Sequence, residues 1–316
     1  MTTIDTPFRL HEPLWRIRLR AAWKSFAANW SLFAQNKIGL IGLAIILLFG
    51  LMAILHPILM NTVWDPKIYD PFVGNDPAII IHPSAPSATH LLGTDPMGRD
   101  VLSQLMYSTS NEFVLGLLAA IITVVIATSI GAIAAYFGGW IDSLCMRLAD
   151  LVNLLPFFAL LVVLSSFVRM DMFMLAIVIG VLSGFGGSTI IFKAQALTIK
   201  VKPYIEAARV AGGGHTHIIF RHIVSNLMPL AFLTMMTTVT NAIFSEAALS
   251  FFGLLNIRMS WGIMIYTTQT AGYMLRSIDY WYLIFPAGLS ITLLCSAFYL
   301  VGRALDEVVN PRLRQR

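Results

Sequence analysis

Six long apolar runs constrain the fold of this chain more than any other feature. A helix needs about 20 consecutive apolar residues to cross a hydrocarbon core roughly 30 Å thick. Runs of that length occur at residues 38–60, 112–137, 146–168, 172–192, 223–253 and 281–302. Only 12% of the residues are charged, whereas an ordinary soluble domain has about 25%. The sequence therefore predicts an all-α polytopic membrane protein with six transmembrane helices.

The distribution of basic residues predicts how these helices are oriented. Lys and Arg accumulate on the cytoplasmic side of membrane proteins. With the amino terminus in the cytoplasm, six spans place 16 Lys and Arg on that side and five on the other. The first apolar run starts only at Ile38, too far along the chain for a secretory signal. We predict cytoplasmic termini, and we attribute the net charge of +5 to topology and lipid contact rather than to nucleic acid binding.

Residues that bind metals or nucleotides form no recognisable motif. The two cysteines, Cys145 and Cys295, fall in or beside separate spans, so neither a disulfide nor a metal cage is predicted. His215 and His217 could ligate a metal, but no third ligand of the usual spacing accompanies them. The sequence also has no GxxxxGK[ST] phosphate-binding loop. We therefore expect no catalytic residues, no metal and no cofactor on this chain.

The apolar runs divide the chain into a simple order of segments. We predict a basic cytoplasmic segment at 1–37, a first transmembrane helix at 38–60, an extracytoplasmic loop at 61–111, a core of five transmembrane helices at 112–302 and a cytoplasmic tail at 303–316. The loop is rich in proline and aspartate and is predicted to be irregular. Prolines at 156 and 229 each mark a possible bend within a span.

A polar, helix-compatible insert at 193–222 interrupts the apolar core. It contains Glu206, Ala207, Ala208 and Arg209, followed by Gly212 and later by His215. Glu206 and Arg209 can form an i, i+3 ion pair, the two alanines leave a face small enough to lie against a partner, and the glycines permit a sharp turn. These features suit a helix that docks in a groove. The pattern resembles the cytoplasmic EAA loop of binding-protein-dependent permeases, here with His215 where Asp is frequent.

A second motif spans residues 90–105, before the second apolar run. Its notable residues are Gly93, Thr94, Asp95, Gly98, Arg99 and Asp100. Thr94 or Asp95 can cap a helix start, and Pro96 suits a first helical turn. A structural cap is favoured over direct contact with a solute. The segment is similar to an LGTDxxGRDxxSR motif, with Gln104 at a position where Arg is common.

A third motif includes Glu246 and Ser250 within residues 246–255, followed by Ser260, Trp261 and Gly262. Glu246 lies late in an apolar span, where an ionisable residue is costly and is a functional candidate by default. A neighbouring helix terminus or an interfacial position could equally explain it. Trp261 is predicted to be an interfacial belt residue rather than a solute-stacking one. Glu246, Ser250 and Trp261 are the candidates for a translocation pathway or gate.

These motifs, together with a basic ending at 300–314, resemble the second (C-type) permease subunit of the dipeptide, oligopeptide and nickel ABC importer family. The resemblance implies the type I ABC importer permease fold, with a coupling helix in the EAA loop, in a prokaryotic cytoplasmic (inner) membrane. It also implies a second homologous permease, two cytoplasmic ABC ATPases that hold ATP and Mg, and an extracytoplasmic solute-binding protein. Alternating access with a di- or oligopeptide substrate is the expected function.

The sequence leaves other functions open. Nickel chelates, glutathione and oligosaccharides travel through close relatives of the resembling family. A membrane enzyme could use His215, His217 and Glu206, although His215 and His217 diverge on a helix and Glu206 lies beyond a glycine-rich turn. A passive channel is a further alternative, but no selectivity ring is visible in the sequence.

Overall fold

The computed structural model describes residues 16, 20, 23, 24, 27 and 30–309. Most of the predicted basic segment at 1–37 and the end of the predicted tail, 310–316, lie outside the described residues. Within them the chain is helical, and its only β pairing is an isolated bridge between Thr94 and Asp100. The all-α prediction is confirmed.

The helices follow one another in the order α1 (Lys37–Thr62), α2 (Pro66–Tyr69), α3 (Val101–Phe137), α4 (Gly139–Leu154), α5 (Phe157–Phe167), α6 (Met172–Ser183), α7 (Thr189–Lys200), α8 (Pro203–Val210), α9 (His215–His217), α10 (Ser225–Phe251), α11 (Trp261–Thr270) and α12 (Trp281–Val309). Two π-helical segments, Gly184–Ser188 and Ile218–Val224, join α6 to α7 and α9 to α10. A 3-10 turn, Ile278–Tyr280, precedes α12.

Six spans emerge from these helices, as predicted. In the described chain, five continuous helical stretches are long and apolar enough to cross a membrane, and α4 and α5, which meet at an angle of 81°, make a sixth span when the two are taken together. The bend lies at Pro156, which has no N–H to donate and precedes α5 directly. Pro229, by contrast, lies inside α10 without breaking it. Of the two proline positions, only Pro156 interrupts the helix.

Several helix boundaries differ from the predicted ones. The helix α4 begins at Gly139 rather than at residue 146, and α12 continues to Val309, into the predicted tail at 303–316. The helix α3 begins at Val101 rather than at residue 112, so the end of the predicted loop 61–111 is helical. Its first turns carry polar side chains that are buried in the bundle, which is why hydropathy missed them. Likewise α7 continues to Lys200, into the predicted insert 193–222. Lys193 pairs there with Asp142 at 2.6 Å, and Lys200 donates to the carbonyl of Ala135 at 2.9 Å.

The long helix α3 is the centre of the bundle. It packs against α1, α6, α7 and α10, while α12 packs against α1 and α10. A Cβ at Gly180 would lie 2.7 Å from the Ile122 Cβ, and one at Gly184 would lie 2.9 Å from the Ile126 Cβ. The Thr123 hydroxyl donates to the Gly180 carbonyl at 3.2 Å across the same contact. Small residues therefore bring α6 close to α3 inside the bundle.

The two ends of α3 reach two different polar regions. Its start lies in the segment at 63–100, which we name the loop end of the molecule. Its last turn at Tyr136 contacts His215, beside the segment at 201–214, which we name the EAA end. Along α1, large apolar side chains such as Leu48, Leu51 and Ile54 are more than half exposed, as expected of a helix that faces lipid. The bundle thus holds two polar regions at opposite ends of one long helix.

Candidate functional site

The short helix α8 displays most of the predicted coupling residues at the EAA end. Pro203 occupies its first turn, a favoured position because proline there loses no hydrogen bond. Glu206, Ala207 and Arg209 are exposed, and Ala208 is partly buried. Arg209 Nη1 lies 3.2 Å from Glu206 Oε2, which confirms the predicted pairing. The charged and small residues thus lie on an accessible face.

One buried side chain fixes α8 to the bundle. Ile205 is fully buried and packs in a cluster with Ile218, Ile219 and Phe192. Apolar side chains on the other side of the segment have no such cover, because Val201 is 81% exposed and Val210 is 84% exposed. The helix α8 is therefore packed against the bundle through Ile205, while Glu206 and Arg209 are exposed.

The turn after α8 leads to a contact with the end of α3. Gly212 has a φ of +84°, which a residue with a side chain rarely adopts. A hydrogen bond of 2.8 Å then joins His215 Nδ1 to the Tyr136 hydroxyl, and the Phe137 ring lies 5.7 Å from the imidazole. The sequence predicted His215 in the coupling loop but did not predict Tyr136. Two helices distant in sequence are thereby joined at the EAA end.

At the loop end, the predicted motif forms a buried hydrogen-bond network. The Asp95 carboxylate accepts from the Arg99 Nε at 2.7 Å and from the Gln104 Nε2 at 3.0 Å. The Thr94 hydroxyl lies 2.9 Å from His82 Nδ1. Gly93 and Gly98 have positive φ angles of 74° and 88°. These residues are buried or half-buried, an arrangement that suits a structural role.

The predicted helix cap within this motif was wrong. Asp100 is the N-cap of α3 and accepts from the Ser103 amide at 2.7 Å. Asp95 instead accepts from the Met97 and Arg99 amides and so closes a turn, with Pro96 inside that turn rather than in a helix. Thr94 and Asp95 both looked like helix caps in the sequence, and the tight turn at Asp95 places the helix start at Asp100 instead.

A buried histidine ties two aspartates together at the same end. His90 is fully buried, with Nδ1 2.8 Å from Asp100 Oδ2 and Nε2 3.3 Å from Asp76 Oδ2. The Ala78 amide lowers the pKa of Asp76, and the bond to His90 acts in the same direction. Burial raises the pKa of Asp100. The sequence motif did not reveal that Asp76 belongs to this network.

The third motif forms a buried polar cluster inside the bundle. Glu246, Ser250 and Trp261 are all fully buried, so in this conformation they have no access to solute. The Ser250 hydroxyl donates to Glu246 Oε1 at 2.6 Å. Glu246 lies near Ser260, the N-cap of α11, so a helix start lies beside this carboxyl, while the interfacial explanation stays a prediction.

The position of Trp261 corrects a second expectation. The indole packs edge-on to Phe49 with ring centroids 5.6 Å apart, and its Nε1 donates to the Leu105 carbonyl at 3.2 Å. A fully buried indole is not part of an interfacial belt. Its polar N–H finds a partner on the first turns of α3, as buried tryptophans usually require. The residue therefore packs α11 against α3.

Sequence reasoning missed one member of this cluster. Glu112 on α3 is fully buried and lies beside Glu246, close to the backbone N–H of Trp261. The predicted span began at residue 112, which placed this carboxyl at a membrane boundary rather than inside a helix. An ionisable residue between two apolar stretches was the available signal. In the part of the chain that the structure describes, no group of three or more His, Cys, Asp or Glu could hold a metal ion.

Comparison with known proteins gives a consistent result. Residues 127–315 match the family described as "Binding-protein-dependent transport system inner membrane component". The oligopeptide transport system permease protein OppC of Bacillus subtilis is 31% identical over 90% of this chain and 88% of its own length. The dipeptide transport system permease protein DppC of the same organism is 32% identical over 90% and 85%. Escherichia coli K12 OppC is 30% identical over 89% of each chain.

Proposed function

The chain belongs to the family of inner membrane components of binding-protein-dependent transport systems, and from that premise we propose that it carries di- or oligopeptides by alternating access. It is a multi-pass permease subunit of an ABC importer and a transport subunit rather than an enzyme. The peptide substrate is proposed because the relatives named above are called oligopeptide and dipeptide permeases. Nickel chelates, glutathione and oligosaccharides remain the alternative cargoes.

The proposed complex has partners on both sides of the membrane. A second homologous permease completes the pathway, two ABC ATPases bind ATP and Mg at the EAA end, and a solute-binding protein delivers cargo at the loop end. The EAA end is then cytoplasmic, together with both termini, in agreement with the bias of basic residues. Binding of ATP shifts the permease between states only through a difference in affinity for them.

The exposed face of α8 is the observation that carries this proposal. Glu206 and Arg209 lie on an open surface, while Ile205 and the Tyr136–His215 contact fix the loop to the bundle. A helix that is packed against the bundle on one side and exposed on the other can transmit the movement of a docked ATPase to α3 and α10. The loop-end network at Asp95 and Asp100 is proposed to shape the docking region for the binding protein. Glu246, Ser250 and Trp261 are proposed to act in the gate as packing residues.

Charge reversal at Glu206 tests the docking role. We expect Glu206→Lys to reduce the yield of co-purified ATPase and the rate of ATP-driven uptake at least tenfold, because it reverses charge at the contact. The double variant Glu206→Lys/Arg209→Glu restores an ion pair within the loop. If Glu206 contacts the ATPase, we expect the double variant to keep the low ATPase yield and the slow uptake. Full recovery of both would show that only the ion pair within the loop matters.

A matched control uses the exposed Asp279, in the 3-10 turn that precedes α12. Asp279→Lys makes the same change of charge far from the EAA end, and it should leave the ATPase yield unchanged. An equal loss of ATPase yield in Glu206→Lys and Asp279→Lys would indicate a general effect of charge reversal on the complex. Unchanged yield and uptake in Glu206→Lys would contradict the coupling role.

A further inference from the structure

We propose that Glu112 and Glu246 share a proton and form a proton-binding site in the membrane interior. The two carboxyl groups come from α3 and α10, both are fully buried, and they lie beside one another. Neither side chain takes part in a salt bridge within the described chain. The inference does not depend on which solute the importer carries.

Three of the four carboxyl oxygens of the pair have no hydrogen-bond partner among the described residues. Glu246 Oε1 accepts from Ser250, whereas Glu246 Oε2 and both oxygens of Glu112 are buried without a hydrogen-bond partner among the described residues. A protonated carboxyl donates one hydrogen bond and an ionised carboxyl accepts it. One proton between the two groups therefore satisfies an oxygen on each side.

No cationic side chain among the described residues lies beside the pair to balance its negative charge. Among the described residues, α11 presents Ser260 and Trp261 to the pair, and α12 presents Cys295, whose thiol donates to the Thr240 carbonyl. The nearest imidazole on α1, His56, contacts Ser103 instead, which is more than two turns from Glu112 on α3. The start of α11 supplies only the partial positive charge of a helix N-terminus. Two adjacent carboxylates without a counter-ion repel strongly in a medium of low dielectric constant.

The site links three helices at one point. Glu112 belongs to α3, Glu246 to α10, and Ser260 and Trp261 begin α11. Loss of the shared proton would place two unpaired negative charges between α3 and α10 and favour their separation. The proton thus holds the closed packing of these helices, and a conformational step that lets water reach the pair would release it.

Infrared spectroscopy of the intact importer complex in lipid bilayers tests this inference. At pH 7 we expect the C=O band of one protonated carboxyl per chain. Labelling every Glu carboxyl of this chain with ¹³C should move the band to lower frequency, and labelling Asp should leave it in place. This version needs no substitution, so a variant that fails to fold cannot obscure the result.

Variants assign the band to the pair. Glu112→Gln/Glu246→Gln should abolish it, because both amides replace the carboxyls while keeping hydrogen-bond donors. Asp279→Asn, at an exposed position, should retain the full band. Absence of a Glu-sensitive band at pH 7 would overturn the proposal. A melting temperature of the wild-type complex that rises with Na⁺ or K⁺, without such a band, would assign the site to a metal cation instead.

Discussion

A hydrogen bond made by a histidine joins the second half of the coupling loop to the central helix of the bundle. His215 stands where the resembling family often has Asp, and it binds the Tyr136 hydroxyl at 2.8 Å. The family pattern left the anchoring of the second half of the loop open. In this chain an imidazole and two aromatic rings at the end of α3 provide that anchor. Its function as a route for movement can be tested at the same residues.

Removing the Tyr136 hydroxyl should weaken this link without disturbing the fold. We expect Tyr136→Phe to remove about 1 kcal/mol of interaction free energy between the loop and α3. In the reconstituted complex, it should lower the ATPase activity stimulated by substrate and binding protein about fivefold. Basal ATPase activity should stay unchanged. Tyr299→Phe, which alters a tyrosine that is 55% exposed on α12 and outside the coupling loop, is the matched control. Identical stimulation in wild type and Tyr136→Phe would rule out a coupling role for the bond.

The loop-end network predicts a pH-dependent effect at Asp76. Because its pKa is lowered from the ordinary 3.8, the ionised form stabilises the loop fully above that pH, and this stabilisation is lost as the pH falls through the lowered value. We expect Asp76→Asn to cost about 1 kcal/mol at pH 7 and progressively less at acidic pH. Burial raises the pKa of Asp100, which has the opposite effect on the pH dependence of stability, but Asp100 is present in both the wild type and Asp76→Asn. Thermal unfolding at several pH values measures the difference, and a deficit that does not vary with pH would contradict the assignment.

Among the elements, the six spans could be predicted, but their ends and bends could not. Apolar length fixes the number of spans because each must cross the same hydrocarbon thickness. The first turns of α3 escaped prediction because Ser103, Gln104 and Ser108 look like loop residues until the bundle buries them. Glu112 was missed for the same reason. The break at Pro156 was one of two candidate bends, and only tertiary packing decides between them.

The contact between α3 and α6 gives a prediction for this pair of helices. Gly180→Ala places a Cβ 2.7 Å from the Ile122 Cβ, so we expect a loss of about 1–3 kcal/mol from overpacking. Gly288→Ala makes the same change in α12, where no atom lies within 4 Å of the added Cβ, and should be neutral or stabilising. The melting temperatures of the two purified variants provide the comparison. Equal melting temperatures would mean that the helices can separate freely at this contact.

For the whole molecule, α3 connects every region to which we assign a role. It begins at the Asp100 cap of the loop-end network, carries Glu112 in the buried cluster, and ends at Tyr136 beside the EAA end. The sequence predicted both end regions and a span at 112–137 between them, but not the contacts at the two ends of this helix, because those contacts arise from residues far apart in the chain. The two end regions are therefore connected by one continuous helix.

The most direct test of the proposed function is uptake by the complete importer. The chain, its partner permease, the ATPases and the binding protein would be reconstituted in proteoliposomes with ATP on the ATPase side. We predict accumulation of a radiolabelled di- or oligopeptide that requires ATP and falls at least tenfold with Glu206→Lys, with little uptake of nickel chelates, glutathione or oligosaccharides. Peptide flux that proceeds equally without ATP, or ATP-driven uptake of another cargo in place of peptide, would contradict the account.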